Sequence, residues 1–577
     1  MWSYVAEGGK HAIFRYSGKD RRFYCYVLRI VKSDLAMVAL SFCTESLGGI
    51  STDASPPMFP SAATCKIIEY MQESSPQKFQ RRIVQPLLGH CYIDLAREIN
   101  LPASFCSLLY HRTLASGLIP PSRLPSWQIH HKPDASVDSS FHGKVRVSLL
   151  RDHKQIPRHP CLYTANNTIL SVEIKPKAGY ITSSPLVLPS NRCKLYRTRF
   201  SLQQELMQKG HVKKGWQKYG TNEEGKGVQD QLGVGDSKTI HIEKFTPSDY
   251  SPLDLFSGNT VQIRKALFDL CSNMQNNLRV FCNGEQISGE YKNPSDGECR
   301  RILNTMFHHS GNDDDETQDQ QMTDAESSLL DVIIDIVTTV LDRESQLLSS
   351  MLAVQKLDVI DGDGAVMIYE RLVHLCGSDL EAEKLLDKAL ITPACEVSTA
   401  VHDWRSGSDI ITSPYTFPQC ESLDELLNEM IQFQTYIHEG QQVGSLDASH
   451  IKSIQCVNGL SKEACIYLLQ NWLLSSALCD VSFFVTFQLL SRRNPRRYNV
   501  DVGNDCQGVD INEECQTCDR GGIAFCSLQS DSHAIAVHYE VKVVDCDPKP
   551  ARKLRDRMNV ESKFQMLVDC ANEGCES

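Results

Sequence analysis

Polar and apolar residues alternate along residues 170–175, and this period of two predicts a β-strand. Because Pro176 disfavours helical geometry in the residue before it, we expect the chain to stay extended, with Lys177 on the same side as Lys175. Two ammonium groups that share a face with the carboxylate of Glu173 suit a phosphate-rich ligand. A half-exposed edge strand with solvated lysines explains the same residues. The apolar face of the strand consists of Leu170, Val172 and Ile174.

Strand-like runs also occur near both ends of the chain, at residues 12–16, 23–30, 480–487 and 533–544, with mostly helical sequence in between. This mixture predicts an α+β fold. If the two late strands pair as an antiparallel hairpin, the start of the first lies beside the end of the second, and Asp480 neighbours Asp545. Two carboxylates at such a rim suit phosphoryl transfer, one orienting a hydroxyl and the other holding Mg²⁺. The alternative is that Asp480 merely begins one strand and Asp545 merely ends the other.

The length of 577 residues and a hydrophobic content of 41% predict a large core and more than one lobe. We find no uninterrupted apolar stretch long enough to cross a bilayer. The longest candidate, which begins at Leu329, is interrupted by aspartates, and we interpret it as a buried helix. We therefore expect an intracellular protein of the cytoplasm, the nucleus or both, without a membrane partner.

The net charge of −12 argues against a general nucleic-acid binder. Charge is unevenly distributed, because residues 303–329 contain seven acids and no Lys or Arg, whereas residues 547–557 contain five Lys or Arg and two acids. An acidic loop and a basic site can therefore coexist on one protein. Gly, Ser, Pro, Asn and acidic residues predict flexible insertions at residues 44–63, 206–238, 308–327 and 492–530.

The 23 cysteines are scattered along the chain, and we expect most of them to be reduced, buried thiols. One cluster contains a Cys-x-x-Cys pair, whose spacing lets two thiolates reach one zinc ion. Its outer spacings are irregular, so free loop cysteines are the expected state and zinc is the alternative. The cluster consists of Cys506, Cys515, Cys518 and Cys526.

Six short segments together resemble the inositol-pentakisphosphate 2-kinase family, whose members make inositol hexakisphosphate. The segments are EGG at 7–9, VQPLLG at 84–89, EIKPKAG at 173–179, PLDLFSG at 252–258, QNNLRVFCNG at 275–284 and DCDPKP at 545–550. The resemblance implies a two-lobed, protein-kinase-like α+β fold that uses ATP and Mg²⁺ and binds nucleotide in its cleft. It further implies a nucleotide-binding amino-terminal lobe at residues 1–150 and an inositide-binding, catalytic lobe at 151–577.

The resemblance also assigns nucleotide contacts. Two glycines would turn a loop over the ATP phosphates, where missing side chains allow close backbone approach. An aspartate and a histidine would lie in the segment that joins the lobes, near the adenine. The implied nucleotide-binding residues are Gly8, Gly9, Arg29, Asp152, His153, Lys175 and Arg279.

For the reaction itself, the resemblance makes Asp480 the catalytic residue that aligns the 2-hydroxyl, with Lys175 on the nucleotide phosphates and Asp545 as the magnesium ligand. It also implies that Glu173 orients one of the lysines. Lysine and amide side chains would hold the inositide phosphates, and a lysine pair four residues apart would share one face if that segment is helical. The implied substrate-binding residues are Lys177, Asn276, Asn277, Lys549 and Lys553.

Two positions depart from the family pattern, because Arg557 stands where a tyrosine is expected and Ser201 replaces a basic substrate contact. The predicted activity is ATP-dependent phosphorylation of the 2-hydroxyl of inositol 1,3,4,5,6-pentakisphosphate by a monomer. The alternative is an inactive inositol-phosphate-binding scaffold. A protein kinase fits less well, since we find no HisArgAsp or AspPheGly segment.

Overall fold

The computed structural model describes residues 2–7, 11–18, 23, 25–36, 75–117, 119, 144–156, 168–209, 245–289, 295–307, 325–393, 413–439, 446–490, 522–527, 534–554 and 561–564. These residues form antiparallel sheets and helices, so the predicted α+β class is confirmed. The chain divides into two compact units, the first made of residues 1–77, 94–152 and 213–244 and the second of residues 78–93, 153–212 and 245–577.

The first unit contains a five-stranded antiparallel sheet with strand order β1-β2-β3-β5-β4. Alternate residues of its strands, such as Phe14 and Leu28, are buried in one core, as the period-two pattern predicts. Helix α3 adds Cys106 and Leu109 to the same core. The bounds are β1 Trp2–Glu7, β2 His11–Tyr16, β3 Tyr26–Val31, β4 Arg97–Pro102, β5 Lys144–Arg151 and α3 Ala103–Ala115.

The second unit contains a six-stranded antiparallel sheet with strand order β10-β11-β9-β6-β7-β8. Strand β10 lies inside residues 492–530, the segment expected to be an insertion. The bounds are β6 Leu170–Ile174, β7 Leu278–Cys282, β8 Glu285–Ser288, β9 Ser482–Leu489, β10 Gly522–Ser527 and β11 Ala534–Val544.

Strand β6, in which polar and apolar residues alternate, lies between β9 and β7, and all five of its residues are buried. The interpretation as a half-exposed edge strand is therefore wrong, because elements on both sides of the sheet cover it. The extended conformation expected through Lys177 is also wrong, since this residue has φ +63° in the left-handed region. Lys175 still continues the pairing, as its backbone N–H donates to the carbonyl of Asn277 at 2.8 Å.

The predicted antiparallel pairing of the two late strands is confirmed, although they do not form a simple hairpin, because strand β10 lies between them in the chain. Strands β9 and β11 pair antiparallel, with Ser482 opposite Val544. Asp480 precedes this register by two residues and Asp545 follows it by one, so both carboxylates belong to the same end of the strand pair. The sheet register thus places Asp480 and Asp545 close to each other along the strand pair, as predicted.

Most described helices belong to the second unit. Helix α8 contains the apolar segment from Leu329, which is a buried helix as predicted, and its buried Asp335 pairs with Arg264 at 3.0 Å. None of the described helices combines the length and apolarity needed to cross a membrane. The helices are α1 Ser75–Phe79, a π-helical turn Gln80–Val84, α2 Gln85–Leu88, α4 Arg199–Gln208, α5 Pro252–Leu255, α6 Thr260–Ser272, α7 Asp296–Phe307, α8 Ala325–Arg343, α9 Ser345–Gln355, α10 Asp361–Cys376, α11 Asp379–Leu390, α12 Glu421–His438, α13 Leu446–Gly459, α14 Lys462–Leu478 and the 3₁₀ helices Pro189–Leu195 and Ser562–Phe564.

Candidate active site

A cavity of about 390 Å³ in the second unit brings together residues from distant parts of the sequence. Three predicted substrate residues and the predicted catalytic aspartate, Asp480, line it. Such a concentration of cations in a concave site suits a ligand with several phosphates. The cationic lining residues are Lys177, Lys194, Arg197, Arg199, Lys549 and Lys553.

Asp480 lies between the end of helix α14 and the start of β9, where its backbone N–H donates to the Ala477 carbonyl at 3.3 Å. Its carboxylate accepts a hydrogen bond from Lys549 at 2.8 Å and remains 60% exposed. Partial burial by itself raises the pKa of Asp480, but Lys549, Lys177 and Lys175 outweigh it, so the pKa is below the ordinary aspartate value. The group is therefore an anion at neutral pH and can accept a hydrogen bond from a hydroxyl.

Lys177 lies near other cations, and both they and burial disfavour its charged form. Burial lowers the pKa of Lys177, Asp480 opposes that effect, and the nearby Lys175 and Lys549 lower the pKa further. Left-handed backbone at a non-glycine residue adds strain, which folded proteins tolerate chiefly at functional sites. An anionic ligand would relieve the repulsion between these lysines.

Lys549 and Lys553 both line the cavity, although Lys549 precedes the turn at residues 551–554 and is not helical. The turn therefore brings both lysines to the cavity, and the Lys553 N–H donates to the Pro550 carbonyl at 2.9 Å within it. The predicted helix, in which a spacing of four residues would place both lysines on one face, is not formed at Lys549. Asp545 follows β11 directly and has φ +62°, again in the left-handed region.

Arg279, Asn276 and Glu173 form a separate group that does not line the cavity. The Arg279 guanidinium donates to Asn276 Oδ1 at 2.7 Å and approaches Glu173 at 3.4 Å. The other Glu173 oxygen accepts from the Ser482 hydroxyl at 3.0 Å. The expectation that Glu173 orients a lysine is therefore wrong, because Arg279 and Ser482 are its side-chain partners. Asn277, also outside the cavity lining, is buried.

The remaining nucleotide candidates fall in both units. In the first unit, Arg29 approaches His11 at 3.3 Å, and the buried Asp152 accepts from Arg15 Nε at 2.6 Å. The chain passes to the second unit at His153, whose carbonyl accepts from the Thr486 hydroxyl at 2.5 Å. Outside the described residues lie Gly8, Gly9, Arg557, Cys506, Cys515 and Cys518. The backbone of Cys526 belongs to β10.

Sequence reasoning missed the basic residues between 192 and 199 as part of the site. Lys194, Arg197 and Arg199 line the cavity, and four bases within eight positions were the available signal. Ser201, the expected replacement of a basic contact, is not among the lining residues, because its hydroxyl donates to the Thr198 carbonyl at 3.1 Å within the first turn of α4.

A buried ion cluster forms one wall of the cavity. Lys194 contacts Asp361 at 2.6 Å, Asp363 at 3.0 Å and also Glu561. Burial alone lowers the pKa of Lys194, but these carboxylates raise it above the ordinary lysine value. Among the described residues, the three acids are close enough together to hold a metal ion, yet the Lys194 ammonium already contacts each of them and supplies the positive charge.

The cavity floor also provides neutral donors. Tyr180 donates to Asp358 at 2.8 Å, and burial together with this carboxylate raises the pKa of Tyr180 well above its ordinary value. The phenol therefore stays protonated. Ser475 and Trp472 lie in the same lining, so the cavity combines a cationic wall with hydrogen-bonding and aromatic groups.

These features define a class of protein that binds polyanions and carries an ionised aspartate among the binding lysines. The family model of inositol-pentakisphosphate 2-kinase matches residues 4–563. The chain therefore belongs to the inositol-pentakisphosphate 2-kinase family and is a kinase of inositol phosphate metabolism.

Individual relatives agree with the family model. The chain is 26% identical over 391 residues to an inositol-pentakisphosphate 2-kinase of Arabidopsis thaliana, covering 66% of this chain and 73% of the relative. An inositol-pentakisphosphate 2-kinase of Oryza sativa subsp. indica is 24% identical over 401 residues, covering 67% and 72%. One of Danio rerio is 26% identical over 233 residues, covering 40% and 37%.

Proposed function

We propose that this protein transfers phosphate from ATP to the 2-hydroxyl of inositol 1,3,4,5,6-pentakisphosphate and so produces inositol hexakisphosphate. The observation that carries the proposal is the cavity that places six cationic side chains around an ionised aspartate. The family membership supplies the reaction class. The cations match a substrate with five phosphates, despite the negative charge of the whole chain.

Asp480 is the residue we assign to the hydroxyl. Phosphoryl transfer relies mainly on positioning and charge neutralisation, so a hydrogen bond from the hydroxyl to an ionised carboxylate is sufficient. In the structure, that carboxylate accepts a hydrogen bond from Lys549. Substrate phosphate would draw Lys549 away, because a dianionic group attracts an ammonium more strongly than one carboxylate does. Binding then frees Asp480 for the hydroxyl.

Lys177 and Lys553, with Lys549, would hold the phosphates of the inositide. Burial and the neighbouring lysines lower the pKa of Lys177, and a bound phosphate would oppose that effect because it favours the charged ammonium. Asn276 and Asn277 would contact the inositide at an edge of the site outside the cavity lining. The buried Lys194 and the partly exposed Arg199 add to the cationic wall.

Nucleotide would be bound by Lys175 and Arg279 of the second unit and by Gly8, Gly9, Arg29, Asp152 and His153, in a two-lobed, protein-kinase-like arrangement. Mg²⁺ fits the carboxylate of Asp545, since hard oxygen donors are its preferred protein ligands. Bound there, Mg²⁺ would neutralise charge on the nucleotide phosphates. We propose a monomer that acts in the cytoplasm, the nucleus or both.

The test is direct. Purified protein is incubated with ATP, Mg²⁺ and inositol 1,3,4,5,6-pentakisphosphate, and the inositides are separated by anion-exchange chromatography. Inositol hexakisphosphate that forms with wild type and not with Asp480→Asn supports the proposal. Inositide binding without any product would instead favour the scaffold, for which the altered positions Arg557 and Ser201 leave room.

A further inference from the structure

Glu561 connects the carboxyl-terminal segment to the cationic wall of the cavity. Its carboxylate contacts both Lys194 and Arg199, which lie five residues apart and both line the cavity. The Glu561 side chain is only 5% exposed, whereas that of Arg199 is 21% exposed. One buried acid thus restrains two of the cations that face the ligand space.

The surrounding packing is shaped to admit this carboxylate. A Cβ at Gly362 would lie 2.3 Å from Glu561 Oε1, so a larger residue there would displace the acid. Phe564, fully buried three residues later, places its ring 5.6 Å from the Lys194 ammonium and 5.3 Å from the Arg199 guanidinium. Phe564 also packs on Leu202 and Leu206 of helix α4. The segment is therefore anchored by an apolar contact next to its ionic one.

The two cations depend on Glu561 to different degrees. Lys194 has Asp361 and Asp363 as further carboxylate partners. Arg199 has Glu561 as its ion-pair partner within the described part of the chain, and Asp361 adds only a longer-range attraction. An arginine side chain without a fixed partner samples many rotamers. Binding a ligand then costs the conformational entropy of fixing that side chain in one of them. Loss of Glu561 therefore acts mainly on Arg199.

We propose that Glu561 is a positioning residue for the inositide cavity, which holds Arg199 in the orientation that a substrate phosphate requires. This inference rests on the function proposed above and assigns a role to the carboxyl-terminal segment. It makes a prediction of definite sign. If Glu561 only added negative charge, its removal would tighten the binding of an anion, whereas loss of positioning weakens binding.

The experiment compares Glu561→Gln with wild type in the full-length chain. Calorimetric titration with inositol 1,3,4,5,6-pentakisphosphate should give a Kd weaker by about tenfold, the loss expected when a charged hydrogen bond no longer fixes a binding group. The KM for the inositide should rise in parallel, while the KM for ATP stays within about twofold. Glu381→Gln is the matched control, since Glu381 forms an exposed pair with Lys384 at 3.0 Å and is not a lining residue.

A double-mutant cycle separates positioning from general destabilisation. If Glu561 acts through Arg199, the variant with both Arg199→Ala and Glu561→Gln should bind inositide within about twofold of Arg199→Ala alone. Circular dichroism in urea checks the folding of each variant. Should Glu561→Gln fail to fold, Glu561→Asp keeps the charge but is too short to hold both cations, and it should show the same loss confined to the inositide.

Unchanged or tighter inositide binding by a folded Glu561 variant would overturn the inference. So would equal losses for inositide and ATP, or additive effects in the cycle. If wild type itself binds no inositide, the proposed function fails first, which is a different and distinguishable result.

Discussion

Asp480→Asn removes one carboxylate oxygen and its charge with almost no change in side-chain volume. Asp480 is 60% exposed and pairs with Lys549 at 2.8 Å, so the loss of this pair should change the free energy of unfolding by no more than about 1 kcal/mol. The amide would still accept a weak hydrogen bond but has no negative charge with which to orient the substrate hydroxyl. We therefore expect the variant to fold as wild type does but to lose most of its catalytic activity.

The expected loss in kcat is about 10²- to 10⁴-fold, the usual contribution of a positioned acid–base group. That loss corresponds to roughly 3–5 kcal/mol of activation free energy. Inositide affinity should stay the same or increase, because a negative charge disappears from beside Lys177 and Lys549. The mutation thus separates catalysis from binding.

The assay combines single-turnover formation of inositol hexakisphosphate with calorimetric titration of inositol pentakisphosphate. Asp269→Asn is the matched control, because Asp269 also pairs with a lysine at 2.8 Å and does not line the cavity. A kcat for Asp480→Asn within about threefold of wild type would refute the assignment of Asp480 as the residue that orients the hydroxyl.

The remaining predictions concern three lysines. Lys177→Ala should weaken inositide binding more than ATP binding in calorimetric titrations, and equal losses would reject its assignment to the inositide. Lys549→Met should raise the pKa of Asp480, because a neighbouring cation that favours the anion is lost, and the acid limb of the kcat/KM profile should then move to higher pH. An acid limb that stays in place would contradict this electrostatic coupling. Lys194→Met leaves three buried carboxylates without their shared cation and should reduce the free energy of unfolding in urea by about 3–5 kcal/mol. A reduction below about 1 kcal/mol would show that the cluster reorganises.

The pH dependence of folding also follows from the low pKa of Asp480. A carboxyl group whose pKa is lower in the folded state stabilises the fold above its unfolded pKa, which is about 3.9 for aspartate. This contribution is lost as the pH falls through the folded value. Lys549→Met should remove much of that acid-dependent stability, as urea unfolding at neutral and acidic pH would show.

Patterns within single segments were predictable. The alternation at residues 170–174 predicted the position of strand β6, and the two late runs predicted the antiparallel pairing of β9 with β11, which places Asp480 and Asp545 at the same end of the strand pair. Period-two patterning reflects backbone geometry, which depends on the local sequence alone. The same alternation did not reveal that β6 is covered on both faces, since this depends on which strands and helices pack around it.

The partners of individual charges were not predictable in the same way. Nothing near Glu173 in the sequence indicates that its carboxylate contacts Arg279, 106 residues away, and the hydroxyl of Ser482, 309 residues away. The lysines expected to be its partners are closer in sequence, but the backbone turns into the left-handed region at Lys177, so Lys177 does not continue the extended strand.

By itself, the sequence determined the α+β class, the position of strand β6, the antiparallel pairing of the two late strands and the family, because periodicity and short motifs are properties of contiguous residues. Only the tertiary structure decided that Lys194 and Arg199 meet Glu561, which follows Arg199 by 362 positions, and that Lys549 pairs with Asp480. The physical reason is that a charged group pairs with whichever partner the packing brings within reach, and that a buried charge such as that of Glu561 requires such a partner. That choice depends on the three-dimensional arrangement of the whole second unit and not on any local pattern.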